Sequence, residues 1–400
     1  MTLLDIPEIQ ALDTRQHLVR IPPQVDVPLT PRIQALIDTA PFRRLSRISQ
    51  LGLVSLVYPA ANHTRFEHSL GTYRLALLYL KQLSRHPRFC QAVTSRQAET
   101  LIVAALLHDI GHWPFCHPLE NLGLPGIPGH EHCASNLILN GPISDLLERD
   151  WSLAATEVTA LLSSPTEDDT QQLLRSILSG PIDIDKMDYL ERDSLHAGVP
   201  YGNNFDQQRL IGSLCVNEAG DGLAVSDKGR TAAELMVFAR YVMFSEVYWH
   251  HAVRSGTAML QRAFFEVSPQ LAPGDLFELT DDGFIETLTA AAAGSDISQL
   301  VTGLFGNTRV LHKRLLQFSH FQEQSLYSQL ARRPYPWLVQ CGNALADLLG
   351  QSLGVSIPGH YLLFDAPPAQ LEVQFNVQVH FPKEDLYRTL GEVSPVVQTL

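Results

Sequence analysis

His108 and Asp109 close an apolar run, Leu101-Ile-Val-Ala-Ala-Leu-Leu107. An imidazole and a carboxylate side by side at a helix end can be aimed at one point in space. Divalent metals accept such mixed nitrogen and oxygen donors. The dipeptide alone is commonplace. Here it has His68 upstream, in Arg65-Phe-Glu-His68-Ser-Leu-Gly71, and Asp185 downstream, in Asp183-Ile-Asp185-Lys186-Met-Asp-Tyr189. Two imidazoles and two carboxylates suit Mn, Fe, Zn, Ni or Mg, with positions left for water and a phosphate oxygen. Any one of the four is more often a structural residue; the four in this order point to a metal centre.

The residues after Asp109 extend the chemistry. His112, His117, Glu120 and His130 follow within one stretch, and Gly111 and Pro114 break the helix, so their side chains are free of helical spacing. Such histidines could supply a general acid for a leaving alkoxide. Glu120 could orient one of them and raise its pKa. A competing local reading is a structural zinc site from Cys116, His117, His130, His132 and Cys133, but the spacing lacks a paired-ligand register. Positive charge lies close by. Arg65 precedes His68 by one helical turn, and Lys186 adjoins Asp185. Tyr189 and Asp193 follow Asp185 on one helical face. Arg240, Phe244 and Tyr248 repeat at helical spacing further on, a pattern that by itself describes an ordinary mixed face. Arg and Lys bind phosphate, Tyr can stack on a sugar and Asp193 can accept from a hydroxyl.

These groups need elements to position them. The spacing of Leu70, Tyr73, Leu77 and Leu80 predicts a helix over 66–83, and Ala98 to His108 is apolar nearly all round, as in a central buried helix. Thr30-Pro31 opens a helix with Pro in its first turn. The Pro-punctuated residues 1–30 are expected to wrap the surface. Val54 to Val57 reads as a short strand, 121–130 as a loop, and Leu214 to Ser226 as a β-hairpin around Glu218-Ala-Gly-Asp-Gly222. Ala232 to Leu260 reads as one long helix. Tyr361-Leu-Leu-Phe and Leu371 to Phe381 alternate as strands.

The chain has 400 residues, ample for a large core, with 45% hydrophobic and 18% charged residues. A formal charge of −13 repels nucleic acid and anionic lipid, so an anionic substrate needs positive charge gathered locally. Five scattered cysteines without a CxxC pair fit a reducing compartment. With no basic n-region at the start and no apolar run of spanning length, a cytoplasmic protein is expected.

At this point the chain resembles one family, the deoxynucleoside triphosphate triphosphohydrolases of the SAM-and-HD-domain type and their bacterial relatives. The resemblance spans about residues 34 to 260. It rests on Phe42-Arg-Arg-Leu, Gln50-Leu51-Gly52, Tyr58-Pro-Ala-Ala-Asn-His-Thr-Arg-Phe-Glu-His-Ser-Leu-Gly71, Leu107-His-Asp-Ile-Gly-His-Trp-Pro-Phe-Cys-His117, Ile184-Asp-Lys-Met-Asp-Tyr-Leu-Glu-Arg-Asp193 and Asn203-Asn-Phe-Asp206. It implies a mainly α, HD-domain helical fold with a small β-hairpin and a short C-terminal β segment. The expected divisions are 1–265 for the phosphohydrolase core, 266–350 for a helical extension and 351–400 for a β-containing segment. It implies cleavage of a dNTP to a deoxynucleoside and inorganic triphosphate. His68, His108, Asp109 and Asp185 match the metal ligands, and His112 and His130 match catalytic histidines. Glu120 stands where the family often has Asp. Arg65, His117, Lys186 and Tyr248 match phosphate contacts; Gln50, Leu51, Tyr189 and Asp193 match the deoxyribose surroundings. A homo-oligomer, dimer or tetramer, is implied, with a second nucleotide site to which Asp38, Arg209, Lys228, Arg309 and Lys313 could contribute. Ser46 and Ser226 stand where the best-known members have arginines, and no SAM domain is present. Two other readings compete: an HD hydrolase of a nucleoside monophosphate, cyclic nucleotide or alarmone, and a non-catalytic nucleotide sensor.

Overall fold

The computed structural model describes residues 2–23, 25–163, 166–319, 321–367 and 376–398. The protein is mainly helical. The Ser95–Leu107 helix lies at its centre, with every residue from Thr100 to Leu107 buried. Thr94 starts it: its hydroxyl accepts from the Gln97 amide while Gln97 Oε1 accepts from the Thr94 amide. This reciprocal cap satisfies donors that a helix start leaves unpaired. The Arg65–Leu83 helix packs along it, and the Ile184–Ala197 helix packs on Arg65–Leu83 in turn. Gly71 permits that second contact. A Cβ there would stand 1.9 Å from Asp188 Oδ1, so only a bare backbone lets Asp188 come in beside His68.

Two hydrophobic clusters form the interior. The larger runs from Leu3 to Val253 and takes in Val377, Val379, Leu390 and Val397. The smaller joins Leu53, Trp113, Cys116, Leu119 and Leu122 to residues between Met259 and Leu304. Trp113, fully buried between Phe264, Phe277 and Phe284, anchors the chain just after His112.

The strands are few. β1 (Leu18–Ile21) and β2 (Val25–Pro28) form an antiparallel hairpin. β3 (Leu214–Val216) and β4 (Leu223–Ser226) form the expected one. β5 (Gln378–Phe381) runs parallel to β4 and antiparallel to β6 (Leu386–Thr389), giving the order β3-β4-β5-β6. No helix among the described residues is long and apolar enough to cross a membrane.

Several local expectations need correction. Residues 1–30 do not simply wrap the surface: Leu3, Ile6, Ile9 and Val27 are core residues. Val54–Val57 is not a strand. Gly52 adopts φ +51°, and Gly52–Leu56 turns as a 3₁₀ helix that sends Leu53 and Val54 into the two clusters. The long helix is broken. Arg230–Met243 passes into a π-helical turn at Phe244–Tyr248, and a new helix starts at His251, with His250 Nδ1 accepting from the Ala252 amide. In the tail, Tyr361-Leu-Leu-Phe is not a strand: Tyr361 ends the 3₁₀ turn Gly359–Tyr361 and 362–364 are irregular; β5 fulfils the last part of the second alternation, while residues 368–375 lie outside those described.

Candidate active site

The central helix ends at Leu107, and His108 and Asp109 emerge from its C-terminus into a tight turn. Arg44 staples that turn, donating to the carbonyls of Ile110 at 3.2 Å and His112 at 2.9 Å. His108 Nδ1 donates to the Ala105 carbonyl at 2.9 Å, which leaves Nε2 with its lone pair outward. His68 comes from the first turn of the Arg65–Leu83 helix. Its Nδ1 donates to Asp188 Oδ2 at 2.8 Å, and its Nε2 faces His108 Nε2 at 3.3 Å and Asp185 Oδ1 at 3.0 Å. One donor atom each of His68, His108 and Asp185 lie within 4.8 Å of one another, and Asp109 stands beside them, with Oδ1 3.4 Å from His108 Nε2 and Oδ2 3.9 Å from His68 Nε2. Asp185 is held in place by Asp183, whose side chain caps the start of its helix.

This donor set fits a divalent cation. Two imidazole nitrogens that face one another need a positive charge beside them. Burial disfavours charge on His68, yet its hydrogen bonds to Asp185 and Asp188 push it up to about 10. The carboxylates that hold a proton there so firmly would hold a cation in its place. Buried Asp109 lies well below the usual carboxylate range: burial opposes its charge, and His112, His108 and Arg65 outweigh it. The carboxylate–His68 pairing through Asp188 is the arrangement that fixes the tautomer of a metal-ligating histidine.

A second cluster adjoins the first. His112 Nδ1 donates to the Asp109 carbonyl and lies 3.2 Å from Asp109 Oδ1, so one residue touches both clusters. His117 Nε2 is 3.2 Å from His112 Nε2. His130, at the start of the His130–Leu139 helix, stacks on His112 with ring centroids 4.0 Å apart. Glu120 grips His130 twice, through the backbone amide at 2.7 Å and Nδ1 at 3.0 Å. Burial would lower the His130 pKa, but Glu120 raises it overall. Burial and the Arg65 charge hold His112 well below its ordinary value. Gly111 makes this juxtaposition possible, since a Cβ there would stand 2.2 Å from the His130 carbonyl.

Both clusters open on one cavity of about 310 Å³. Arg65 reaches it while donating to Asp109 Oδ2 at 2.6 Å, and its Nε is buried without a protein partner. Gln50 lines it, with a buried Oε1 likewise unpartnered. Tyr189 forms part of its wall, and so does Arg175 of the Asp169–Ser179 helix. No sequence motif includes Arg175; its only sequence signal is a cation on an amphipathic helix.

Other expected residues lie elsewhere. Lys186 turns back onto Asp183 Oδ2 at 2.6 Å and the Gly180 carbonyl at 3.2 Å. Leu51 packs against the main core. Asp193 is buried, with Oδ1 2.8 Å from His63 Nε2 and Oδ2 accepting from Tyr248 at 2.6 Å. Tyr248 meets Tyr189 edge-on, with centroids 6.3 Å apart, while Phe244 faces outward. Of the residues weighed for a structural zinc site, Cys116, His117 and His130 come together with His112, whereas His132 is exposed.

The fold and this site define an HD-domain protein. The HD domain family model matches residues 65–193, and that of the HD associated region matches residues 205–400. An uncharacterized protein of Methanocaldococcus jannaschii is 33% identical over 379 residues, covering 94% of this chain and 74% of its own length. The deoxynucleoside triphosphate triphosphohydrolase SAMHD1 of Homo sapiens is 30% identical over 287 residues, covering 64% of this chain. The chain spans 44% of the human enzyme's length. The crystal structure of a hypothetical protein from Aquifex aeolicus superposes with a TM-score of 0.70 at 27% identity, covering 96% of this chain and 93% of that one. The chain belongs to the HD-domain family that includes the SAMHD1 triphosphohydrolases.

Proposed function

We propose that the protein is a metal-dependent phosphohydrolase that cleaves a dNTP to the deoxynucleoside and inorganic triphosphate. The observation that carries this reading is the opening of both polar clusters, with Arg65 and Arg175, onto one cavity. A divalent ion held by His68, His108, Asp109 and Asp185 would lower the pKa of a bound water and polarise the phosphorus–oxygen bond. Arg65 offers a fixed cation beside that point, and Arg175 offers a second across the cavity. Water loses a proton to solvent as it adds to the α-phosphorus, and the bond to the 5′-oxygen breaks. His130, oriented by Glu120 and raised in pKa, gives its proton to that leaving oxygen. His112 and His117, held less basic by burial, line the cavity as neutral rings. Tyr189 provides an aromatic wall for the sugar.

A second reading keeps the chemistry and changes the substrate: a smaller phosphate ester such as a nucleoside monophosphate. It is favoured by Lys186, whose ammonium is taken up by Asp183 and Gly180 rather than turned to a polyphosphate. Incubation with each dNTP, NTP and nucleoside monophosphate in Mn²⁺ or Mg²⁺, with identification of the first phosphate product, separates the two. Triphosphate released from a dNTP supports the first reading; orthophosphate released from a monophosphate, with the triphosphates untouched, supports the second. The exposed Leu235, Phe238, Tyr241 and Phe244 on one outer helix and turn support a homo-oligomeric protein, which light scattering on the purified chain would test.

A further inference from the structure

The histidine cluster contains one atom that phosphate chemistry does not use. Cys116 Sγ sits within it, buried and unpaired in any disulfide. One donor atom each from His112, Cys116, His117 and His130 lie within 4.8 Å of one another. A tetrahedral zinc site with Zn–N near 2.0–2.1 Å and Zn–S near 2.3 Å needs donors roughly 3.3–3.7 Å apart. The His112–His117 nitrogens, 3.2 Å apart, lie just under that separation. The tautomers are also set for ligation. His112 Nδ1 and His130 Nδ1 each donate to an oxygen, of the Asp109 backbone and of Glu120, so each neutral ring carries its lone pair on Nε2, and on His130 zinc takes the place of the proton that the general acid holds there. Three imidazoles and a thiol make a softer set than the two imidazoles and two carboxylates next door.

We propose that His112, Cys116, His117 and His130 form a second, thiophilic metal site that takes Zn²⁺, and that filling it switches hydrolysis off. On binding, the Cys116 thiol releases its proton to solvent and the thiolate coordinates. The three rings are then tied to the metal and can neither donate a proton nor hold phosphate. The two sites sort ions by softness: oxygen-preferring Mn²⁺ or Mg²⁺ at Asp109 and Asp185, zinc at Cys116.

Cobalt tests the site directly. A cobalt–thiolate bond gives a near-ultraviolet charge-transfer band, and the neighbouring set of His68, His108, Asp109 and Asp185 contains no sulfur. Manganese-loaded protein titrated with Co²⁺ is expected to show that band, to keep it in Cys133→Ser and to lose it in Cys116→Ser. No band at saturating cobalt, or a band that survives Cys116→Ser, overturns the proposal. X-ray absorption of the zinc-loaded wild type needs no variant and is expected to find one sulfur at about 2.3 Å; zinc bound through nitrogen and oxygen alone also overturns it. The switching rests on the function proposed above and is read separately. Zinc should inhibit turnover, with the inhibitory concentration raised at least about tenfold in Cys116→Ser, a loss of about 1.4 kcal/mol of binding. A sulfur signal without any turnover by the metal-loaded enzyme would refute the hydrolase reading and leave the metal site standing.

Discussion

Replacing Gly111 by alanine adds one methyl group at the point where the two clusters are held together. The added Cβ would stand 2.1 Å from the Ala134 nitrogen and 2.2 Å from the His130 carbonyl oxygen, against ordinary contact from 3.4 Å. Gly111 is not among the glycines with positive φ, so the backbone itself tolerates alanine and the effect is pure contact. Both clashes are with main chain of the His130–Leu139 helix, which cannot rotate aside and must retreat by roughly 1 Å. That displacement stretches the 3.0 Å bond from His130 Nδ1 to Glu120 and the 4.0 Å stacking of His130 on His112. A misplacement of this size costs about 10²-fold in rate. Overpacking costs about 1–3 kcal/mol, which lowers the melting temperature by several degrees. The control is Gly129→Ala, at the cap of the same helix, where a Cβ meets nothing within 4 Å. Turnover of the best dNTP, melting temperature and bound metal are measured for both variants. Gly111→Ala is expected to lose activity and stability, and Gly129→Ala to keep both. A Gly111→Ala enzyme with wild-type turnover, or equal losses in the two variants, would refute the reasoning.

Asp109→Ala and His108→Ala should abolish tight metal binding while helical circular dichroism persists; full metal occupancy in both would remove them from the ligand set. Tyr189→Ala should reduce discrimination of dNTP over NTP by about tenfold, since aromatic packing against a sugar distinguishes an added hydroxyl by about 1–3 kcal/mol; unchanged kcat/KM ratios would assign Tyr189 to packing alone. Asp188 is buried, which opposes its charge, but Arg192 and His68 lower it to about 2 from 3.8. Because the folded value is the lower one, its stabilisation is complete above pH 4 and fades as pH falls through 2, so the melting-temperature gap between wild type and Asp188→Asn should close across that interval. A gap independent of pH would show that the Asp188 charge contributes nothing.

The placement of the candidate metal ligands could be read from the sequence because each lies in a run whose pattern sets its position. His108 and Asp109 end an unbroken apolar helix, and Asp185 follows a capping aspartate. The elements misread are those in which local pattern and local geometry diverge. Arg240, Phe244 and Tyr248 share a face only if every turn is α-helical. The π turn at Phe244–Tyr248 inserts extra backbone, so Phe244 points outward while Tyr248 reaches Asp193. Gly52-Leu-Val-Ser-Leu has the apolar content of a strand but no partner strand, and it coils between two cores instead. Lys186 illustrates a different limit. Adjacency to Asp185 suggested a phosphate contact, but on a helix consecutive residues point apart, and its nearest acceptor is the capping Asp183.

What stayed hidden altogether is the polar network behind the site. His68 is held by Asp188, Asp188 by Arg192, and Arg192 by Glu67, which also accepts from His196. The His196 ring stacks on His63 at 4.4 Å, and His63 binds Asp193, which Tyr248 closes. Only Asp188 and Arg192 carry a local signal, being one helical turn apart; the other hydrogen bonds join residues between 55 and 130 positions apart in the chain. Isolated, each of these buried groups would cost free energy, and paired hydrogen bonds offset that cost without a large surplus. Their contribution is therefore geometric. Loss of one member leaves its partner charged and unpaired in the interior, and the displacement propagates from Tyr189 and Tyr248 back to the imidazole of His68. A composition or periodicity argument cannot see such a network, because it is defined by which distant polar groups the apolar packing brings within 3 Å of one another.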